Sequence, residues 1–327
     1  MNTEPLRLGT RRSPMAIAQS TRVADQLTAR TGRAVEIVGI VTSGDTSKAQ
    51  LAQIGGTGVF VSALRDSLKS GQIDFAVHSL KDLPTWPDEA IALAAVPERD
   101  DPRDALAARN GAKLADLHGG ARIGTGSPRR AAQLLLLRPD VEPVPIRGNA
   151  GTRLAKVDVG EVDAVVLAYA GLARIGRLDV VSQVFEPDEM LPAPGQGALA
   201  VECLASRVDL AELLASVNHQ FSRAATRAER AVLTALQAGC SAPIGAYAAG
   251  TNELRLDAVV VSADGGAAGA AGAALGRQPS AIRASARGPV AEAGRLGQVV
   301  AAELLARGAN NYTGVSAGHQ SDGEDAK

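Results

Sequence analysis

Aromatic side chains make up only 2% of this 327-residue chain: four phenylalanines, three tyrosines and one tryptophan. Stacking platforms for single-stranded nucleic acid are therefore nearly absent. The core has to be assembled from alanine, valine, leucine and isoleucine. Cysteine is equally sparse. Cys203 and Cys240 make no disulfide framework and no CxxC spacing. The four histidines (His78, His118, His219 and His319) are scattered without paired ligand spacing, so no metal site is expected. Charges nearly cancel, at a net −1, which argues against a general nucleic-acid binder. No apolar run reaches transmembrane length, and Met1–Arg12 lacks the apolar segment of a signal peptide. A cytoplasmic protein that binds neither nucleic acid nor membrane is the expectation. A Walker A lysine is also missing. Gly195–Ala200 nominally fits GxGxxA, but a strand-like run follows it rather than a helix, so the match is discarded.

What is present suits a soluble globular enzyme, with 46% apolar and 21% charged residues. The length calls for two or three domains. Positive charge is concentrated locally. Between Arg122 and Arg153 lie six arginines (Arg122, Arg129, Arg130, Arg138, Arg147 and Arg153), no lysine, and two acids, Asp140 and Glu142. In Gly124–Arg130, Ser127 is placed as an N-cap and Pro128 as the first helical residue, aiming free N–H groups at the preceding loop. In Arg147–Arg153 two arginines flank a glycine-containing turn. Such arginines grip planar carboxylates through paired hydrogen bonds. A solvated basic face is the alternative.

The chain carries an internal echo. Leu6–Thr10 reads as a strand, then Ser13-Pro14 opens a helix to about Thr28, which is the pattern of the Arg122 region. A β-branched strand follows at Val35–Thr42, a glycine-bearing loop at 43–58, and a helix at Val59–Ser70 marked by Phe60, Leu64 and Leu68. Gly71–Val77 turns into a buried strand and is echoed by Gly160–Val166. Two α/β halves of similar build, roughly 1–97 and 103–191, are implied, with parallel sheets. Ala198–Glu202 would return to the first sheet, making two crossings and a hinged cleft. Beyond a helix near Val208–Val217 comes a smaller α+β unit. It comprises a helix over 222–237 with Gly239 in the C′ region, strands at Leu254–Val261 and Ala281–Ala286, and a helix near Val290–Ala306. The Ala/Gly-rich 264–278 reads as a flexible loop, and the tail after Tyr312 as disordered.

Two residues invite chemistry. Asp82 ends Val77–Pro84 just past a buried strand, beside Lys81. It is either a turn acid before a proline or a catalytic group on a ligand-facing loop. Cys240 lies in the turn Gly239–Pro243 among small residues. Cys203 fits the ordinary reading of a small buried hydrophobe; Cys240 fits it less well.

Several segments together resemble the porphobilinogen deaminase (hydroxymethylbilane synthase) family. They are Thr10–Pro14, Phe75–Asp82, Glu98–Asp104, Arg147–Leu154, Leu191–Ala198 and Gly239–Gly245, in order across residues 6 to about 310. The resemblance implies an α/β fold: two periplasmic-binding-protein-like α/β domains flanking a cleft, plus a small C-terminal α+β domain. The implied division is 1–97 with 198–217, then 103–191, then a cofactor-carrying 220–312 and a disordered 313–327. The family's reaction joins four porphobilinogens head to tail into hydroxymethylbilane, a transferase step of porphyrin and heme biosynthesis that releases ammonia. The resemblance implies a dipyrromethane cofactor held to Cys240 by a thioether, with Asp82 as the catalytic carboxylate. It implies cofactor contacts from Lys81, Ser127, Arg129, Arg130 and Arg153. Arg11, Ser13, Arg147 and Arg174 would hold substrate carboxylates, Phe60 would close over the site, and the enzyme would be a monomer. Gln53 and Thr57 stand where many bacterial members carry lysines, and Gly126 where serine is common, so the loop before Phe60 is left out of the site. The residues suit the chemistry: a chain of up to six pyrroles brings an acetate and a propionate on every ring. Two rivals share the two-lobed scaffold or its charge: a solute-binding or sensing protein, and an interaction protein whose arginines dock an acidic partner. Neither accounts for Cys240 in its turn.

Overall fold

A computed structural model describes residues 4–40, 58–239, 242–262 and 279–312, with backbone alone at 58–60. β1 (Leu6–Arg11) buries Leu6 and Leu8 and leads into α1 (Pro14–Thr31), where the Ser13 hydroxyl accepts the Ala16 N–H at 3.3 Å. Next come β2 (Val35–Ile40), α2 (Gly58–Lys69), β3 (Phe75–Ser79) and β4 (Ile91–Ala95). A linker crosses to β5 (Asp104–Ala108), β6 (Arg122–Gly124), α3 (Pro128–Leu137), β7 (Glu142–Val144), α4 (Ala150–Asp158), β8 (Ala164–Ala168), α5 (Tyr169–Arg174) and β9 (Gln183–Val184). The chain then returns through β10 (Leu199–Leu204) to α6 (Val208–Leu214).

Two five-stranded sheets result, ordered β2-β1-β3-β10-β4 and β7-β6-β8-β5-β9. Each contains a parallel trio, β2-β1-β3 and β7-β6-β8. Parallel sheets are the expectation, and each sheet departs from it through one strand that runs against its neighbours. β10 runs antiparallel to β3 and β4, and β5 runs antiparallel to β8 and β9. The reason is connectivity. Both β10 and β5 arrive from the opposite lobe, so each enters its sheet from the other end, which a local crossover helix would not do. The first sheet is covered on both faces. Leu8, Leu27, Phe75, Val201 and Leu214 pack on one side, and Leu64, Leu68, Ile73 and Ala76 on the other.

The C-terminal unit places α7 (Gln220–Ala235) and α8 (Ala293–Ala306) on the antiparallel sheet β11 (Ile244–Gly250), β12 (Glu253–Val261) and β13 (Ala281–Pro289). Val232, Leu236, Leu256, Val260, Val300 and Leu304 form its centre. β11 went unread in the sequence because Ile-Gly-Ala-Tyr-Ala-Ala-Gly is poor in strand formers. The end of α7 also differs from expectation. Gln237, at φ 49°, takes the left-handed C′ position, and the Ala238 N–H reaches the Leu233 carbonyl at 2.9 Å, so Gly239 is not the cap. The 264–278 stretch, the tail after Tyr312, most of the loop before Phe60, and Cys240 with Ser241 lie outside the described residues.

Candidate active site

Asp82 closes a 3₁₀ turn, Leu80–Asp82, which follows β3 directly. The turn is tied at both ends: the Leu80 N–H bonds to the Ala198 carbonyl, and Arg230 of α7 donates to the carbonyls of Leu80, Leu83 and Pro84 at 3.3, 3.0 and 2.5 Å. The loop bearing Asp82 is thus held by a residue of the C-terminal unit. Sequence reading missed Arg230. Its signal was the arginine spacing 223, 227, 230 along one helix.

Lys81, next to Asp82, turns its ammonium toward the second lobe and meets Gln196 Oε1 at 3.1 Å. Arg130, on the first turn of α3, reaches the same oxygen at 3.3 Å. Gln196 Nε2 donates onward to the Pro102 carbonyl at 2.7 Å and to Asp104 Oδ1 at 2.8 Å. Asp104 is fully buried between Arg129 and Arg130, whose guanidiniums lie 2.8 and 2.7 Å from its two oxygens. Burial alone would raise the Asp104 pKa; the two arginines overcome this and hold the carboxylate well below its usual range. Arg129 spends its remaining reach on the Leu191 carbonyl at 2.6 Å. Ser127 caps α3, its hydroxyl accepting the Arg130 N–H at 3.5 Å.

The cluster carries more positive than negative charge. Withdrawal from water, then repulsion by Arg130, pushes Lys81 down to about 8, although Asp82 and Asp104 pull the other way. Arg153 is lowered by burial and again by Arg130. Lys81, Arg129, Arg130 and Arg153 thus outnumber Asp82 and Asp104, and the local surplus is positive. This is the donor set that a carboxylate-bearing group such as the dipyrromethane needs, so the residues present fit it. Cys240 falls outside the described residues.

The remaining predicted residues lie on several elements. Arg153 donates Nε–H to the Gly148 carbonyl at 2.8 Å and lies on α4, whose N-cap Asn149 accepts from the Thr152 N–H at 2.9 Å. Gly148 is at φ 108°, and a Cβ there would fall 2.8 Å from the Thr152 methyl, so this turn requires glycine. Arg147 in the same turn is exposed and makes no hydrogen bond or ion pair among the described residues. Arg11 and Ser13 stand together where β1 passes into α1. The Phe60 backbone lies in the first turn of α2, and its side chain is outside the description. Arg174 is set apart: it lies at the hinge, bonded to Asp100 Oδ2 at 2.8 Å and to the Gly197 carbonyl at 2.6 Å. Asp104 and Gln196 were visible only as members of recurring segments, without an assigned role. The same holds for Arg99, which makes two hydrogen bonds to the buried Glu229 of α7 and stacks over Tyr247 at 5.4 Å. Glu229 also accepts from the Gly195 and Ala248 N–H groups, so it joins both crossings to the C-terminal unit.

Fold and site together define a two-lobed α/β protein with a cationic seat assembled from both lobes. Residues 6–212 match the family model of the porphobilinogen deaminase dipyromethane cofactor binding domain, and residues 224–306 match that of the porphobilinogen deaminase C-terminal domain. The chain belongs to the porphobilinogen deaminase family. It is 64% identical to the porphobilinogen deaminase of Thermobifida fusca (strain YX) over 268 residues, covering 81% of this chain and 84% of that protein. Porphobilinogen deaminase 1 of Streptomyces coelicolor is 52% identical over 328 residues, 96% of this chain and 99% of the relative. Among solved structures, a periplasmic substrate-binding protein of an ABC transporter from Coxiella burnetii superposes with a TM-score of 0.40 at 15% identity, over 65% of this chain and 91% of that one. A likeness at that level carries no argument about function.

Proposed function

We propose that this chain is a porphobilinogen deaminase, a transferase that condenses four porphobilinogens head to tail into hydroxymethylbilane, with ammonia released at each addition. It serves tetrapyrrole biosynthesis and acts as a cytoplasmic monomer. No described helix is long and apolar enough to cross a membrane. Its units are 1–97 with 198–217, then 103–191, then the cofactor-carrying 220–312. The observation that carries the reading is the convergence of Lys81 and Arg130, from opposite lobes, on Gln196 with surplus positive charge around them.

A dipyrromethane held by Cys240 would supply the nucleophilic pyrrole carbon for the first addition. The chain's own residues bind and orient. Lys81, Ser127, Arg130 and Arg153 hold carboxylates of the resident group, and Arg129 contributes mainly by fixing Asp104. Arg11, Ser13, Arg147 and Arg174 hold those of the incoming ring, and Phe60 closes over it. Asp82 accepts pyrrole N–H hydrogen bonds, faces the positive charge left when ammonia departs, and receives the proton released as the new bond forms. Preorganisation by Arg230 keeps that carboxylate placed without reorganisation at each cycle.

The test is turnover. Purified chain given porphobilinogen should release four ammonia molecules for every linear tetrapyrrole formed, and Asp82→Asn holoenzyme should lose turnover while keeping its pyrrole adduct. Near wild-type turnover in Asp82→Asn would return Asp82 to the role of a turn acid.

A further inference from the structure

We infer that Asp100 clasps the two lobes at the hinge and positions Arg174 for the reaction. The two crossings run against each other: Arg99 Nε donates to the Gln196 carbonyl at 2.8 Å, and Gln196 Nε2 to the Pro102 carbonyl at 2.7 Å. The Asp100 N–H bonds to the Gly197 carbonyl at 3.2 Å. Gly197 is at φ 85°, and a Cβ there would lie 2.5 Å from the Asp100 carbonyl oxygen, so the outgoing and returning segments are in direct contact. Around that contact the Asp100 carboxylate divides its oxygens between lobes. Oδ1 pairs with Arg22 of α1, in the first lobe, and Oδ2 takes Nε of Arg174, at the end of α5 in the second lobe, at 2.8 Å. The other arm of Arg174 reaches the Gly197 carbonyl at 2.6 Å. One carboxylate and one guanidinium therefore hold both lobes and both crossings.

Burial makes the inner half of the clasp the stronger. The Arg174 side chain is 8% exposed and Asp100 is 18% exposed, whereas Arg22 is 44% exposed. A shielded charge-assisted pair contributes more than a solvated one. Arg22 is then the releasable end, and Arg174 the end whose geometry Asp100 fixes. Beside them lies a cavity of about 410 Å³, lined by Ala18, Arg22, Asp101, Tyr169 and Arg174. It gives the lobes room to shift about this point when Arg22 lets go. A cleft that must accept a lengthening chain needs such a setting: firm enough to align the first ring, weak enough at one end to yield.

The lobe-setting part rests on the structure alone; the positioning part rests on the proposed activity, and the experiment separates them. Spin labels on Glu36→Cys and Val159→Cys, one exposed site on each lobe, report the interlobe distance in the holoenzyme by electron–electron double resonance. Wild-type clasp residues should give one narrow distribution. Asp100→Asn should broaden it and raise KM for porphobilinogen about tenfold with kcat little changed. Asp100→Glu should restore both. Arg22→Gln, at the exposed end, tests the lobes even if Asp100→Asn fails to fold, and should broaden the distribution less. Unchanged distributions in both variants overturn the clasp. A broadened distribution with unchanged KM overturns the positioning of Arg174. The distance measurement needs no turnover, so an inactive enzyme would refute the functional reading without touching the clasp.

Discussion

Lys81 and Arg130 approach one acceptor, Oε1 of Gln196, from opposite lobes at 3.1 and 3.3 Å. A neutral oxygen can orient two cations but cannot cancel their repulsion, and Asp104 is already engaged by Arg129 and Arg130. A carboxylate entering here gains two partners and relieves the strain between them. Cohesion of the lobes is thereby coupled to occupancy of the site.

Lys81 should impose a measurable pH dependence. Its folded pKa, about 8, lies below the ordinary lysine value of 10.5. Between those values the unfolded chain binds more protons than the folded one, so this group adds stability as pH rises through that window and removes it as pH falls. Over the same window the site loses the ammonium proposed to grip a carboxylate. In the cofactor-free Cys240→Ser background, melting temperature should climb more steeply from pH 8 to 10 with Lys81 than with Lys81→Met. Parallel curves would contradict the assignment.

Asp104→Asn keeps the side chain's shape and removes its charge. Two buried guanidiniums then lose their shared counter-ion, and breaking such a buried pair costs about 3–5 kcal/mol. We expect a large drop in the urea midpoint together with low cofactor content. Full stability with normal cofactor loading would show that the arginines have other partners in solution.

The arginines of the two classes should fail differently. Arg147 is exposed and unengaged among the described residues, while Arg130 is buried in the Asp104 network. Arg147→Leu should carry its cofactor and accumulate enzyme-bound chains of intermediate length, seen as a mass ladder. Loss of one charge-assisted contact, about 1.5–3 kcal/mol, slows the affected step roughly ten- to a hundredfold. Arg130→Leu should be recovered mostly without cofactor and with a lowered melting temperature. Identical ladders and identical loading in both would remove the division into two pockets.

Much of this was legible in the chain. The Ser-Pro starts at residues 13 and 127 encode real caps, because a hydroxyl and a missing N–H solve a local problem at a helix start. The echo of Gly71–Val77 in Gly160–Val166 corresponds to two sheets of like order. What stayed hidden is what depends on distant partners. Nothing near Asp104 in sequence announces that Arg129, Arg130 and Gln196 surround it, with Gln196 92 residues away. Antiparallel entry of β5 and β10 follows from the path between lobes, which periodicity does not record. Arg174, grouped with the substrate arginines by resemblance, is engaged at the hinge by Asp100, a residue 74 positions earlier.

Cys240 carries the central claim, and the mass of the intact protein tests it most directly. Purified chain should weigh more than its sequence by two pyrrole units joined through a thioether, and Cys240→Ser should weigh only its sequence. Cys203 is wholly buried in the first lobe, and burial pushes its thiol up, so Cys203→Ala should keep the adduct and lose about 1 kcal/mol of stability. An unmodified wild-type chain that still turns over porphobilinogen, or an adduct that survives in Cys240→Ser and vanishes in Cys203→Ala, would contradict the account.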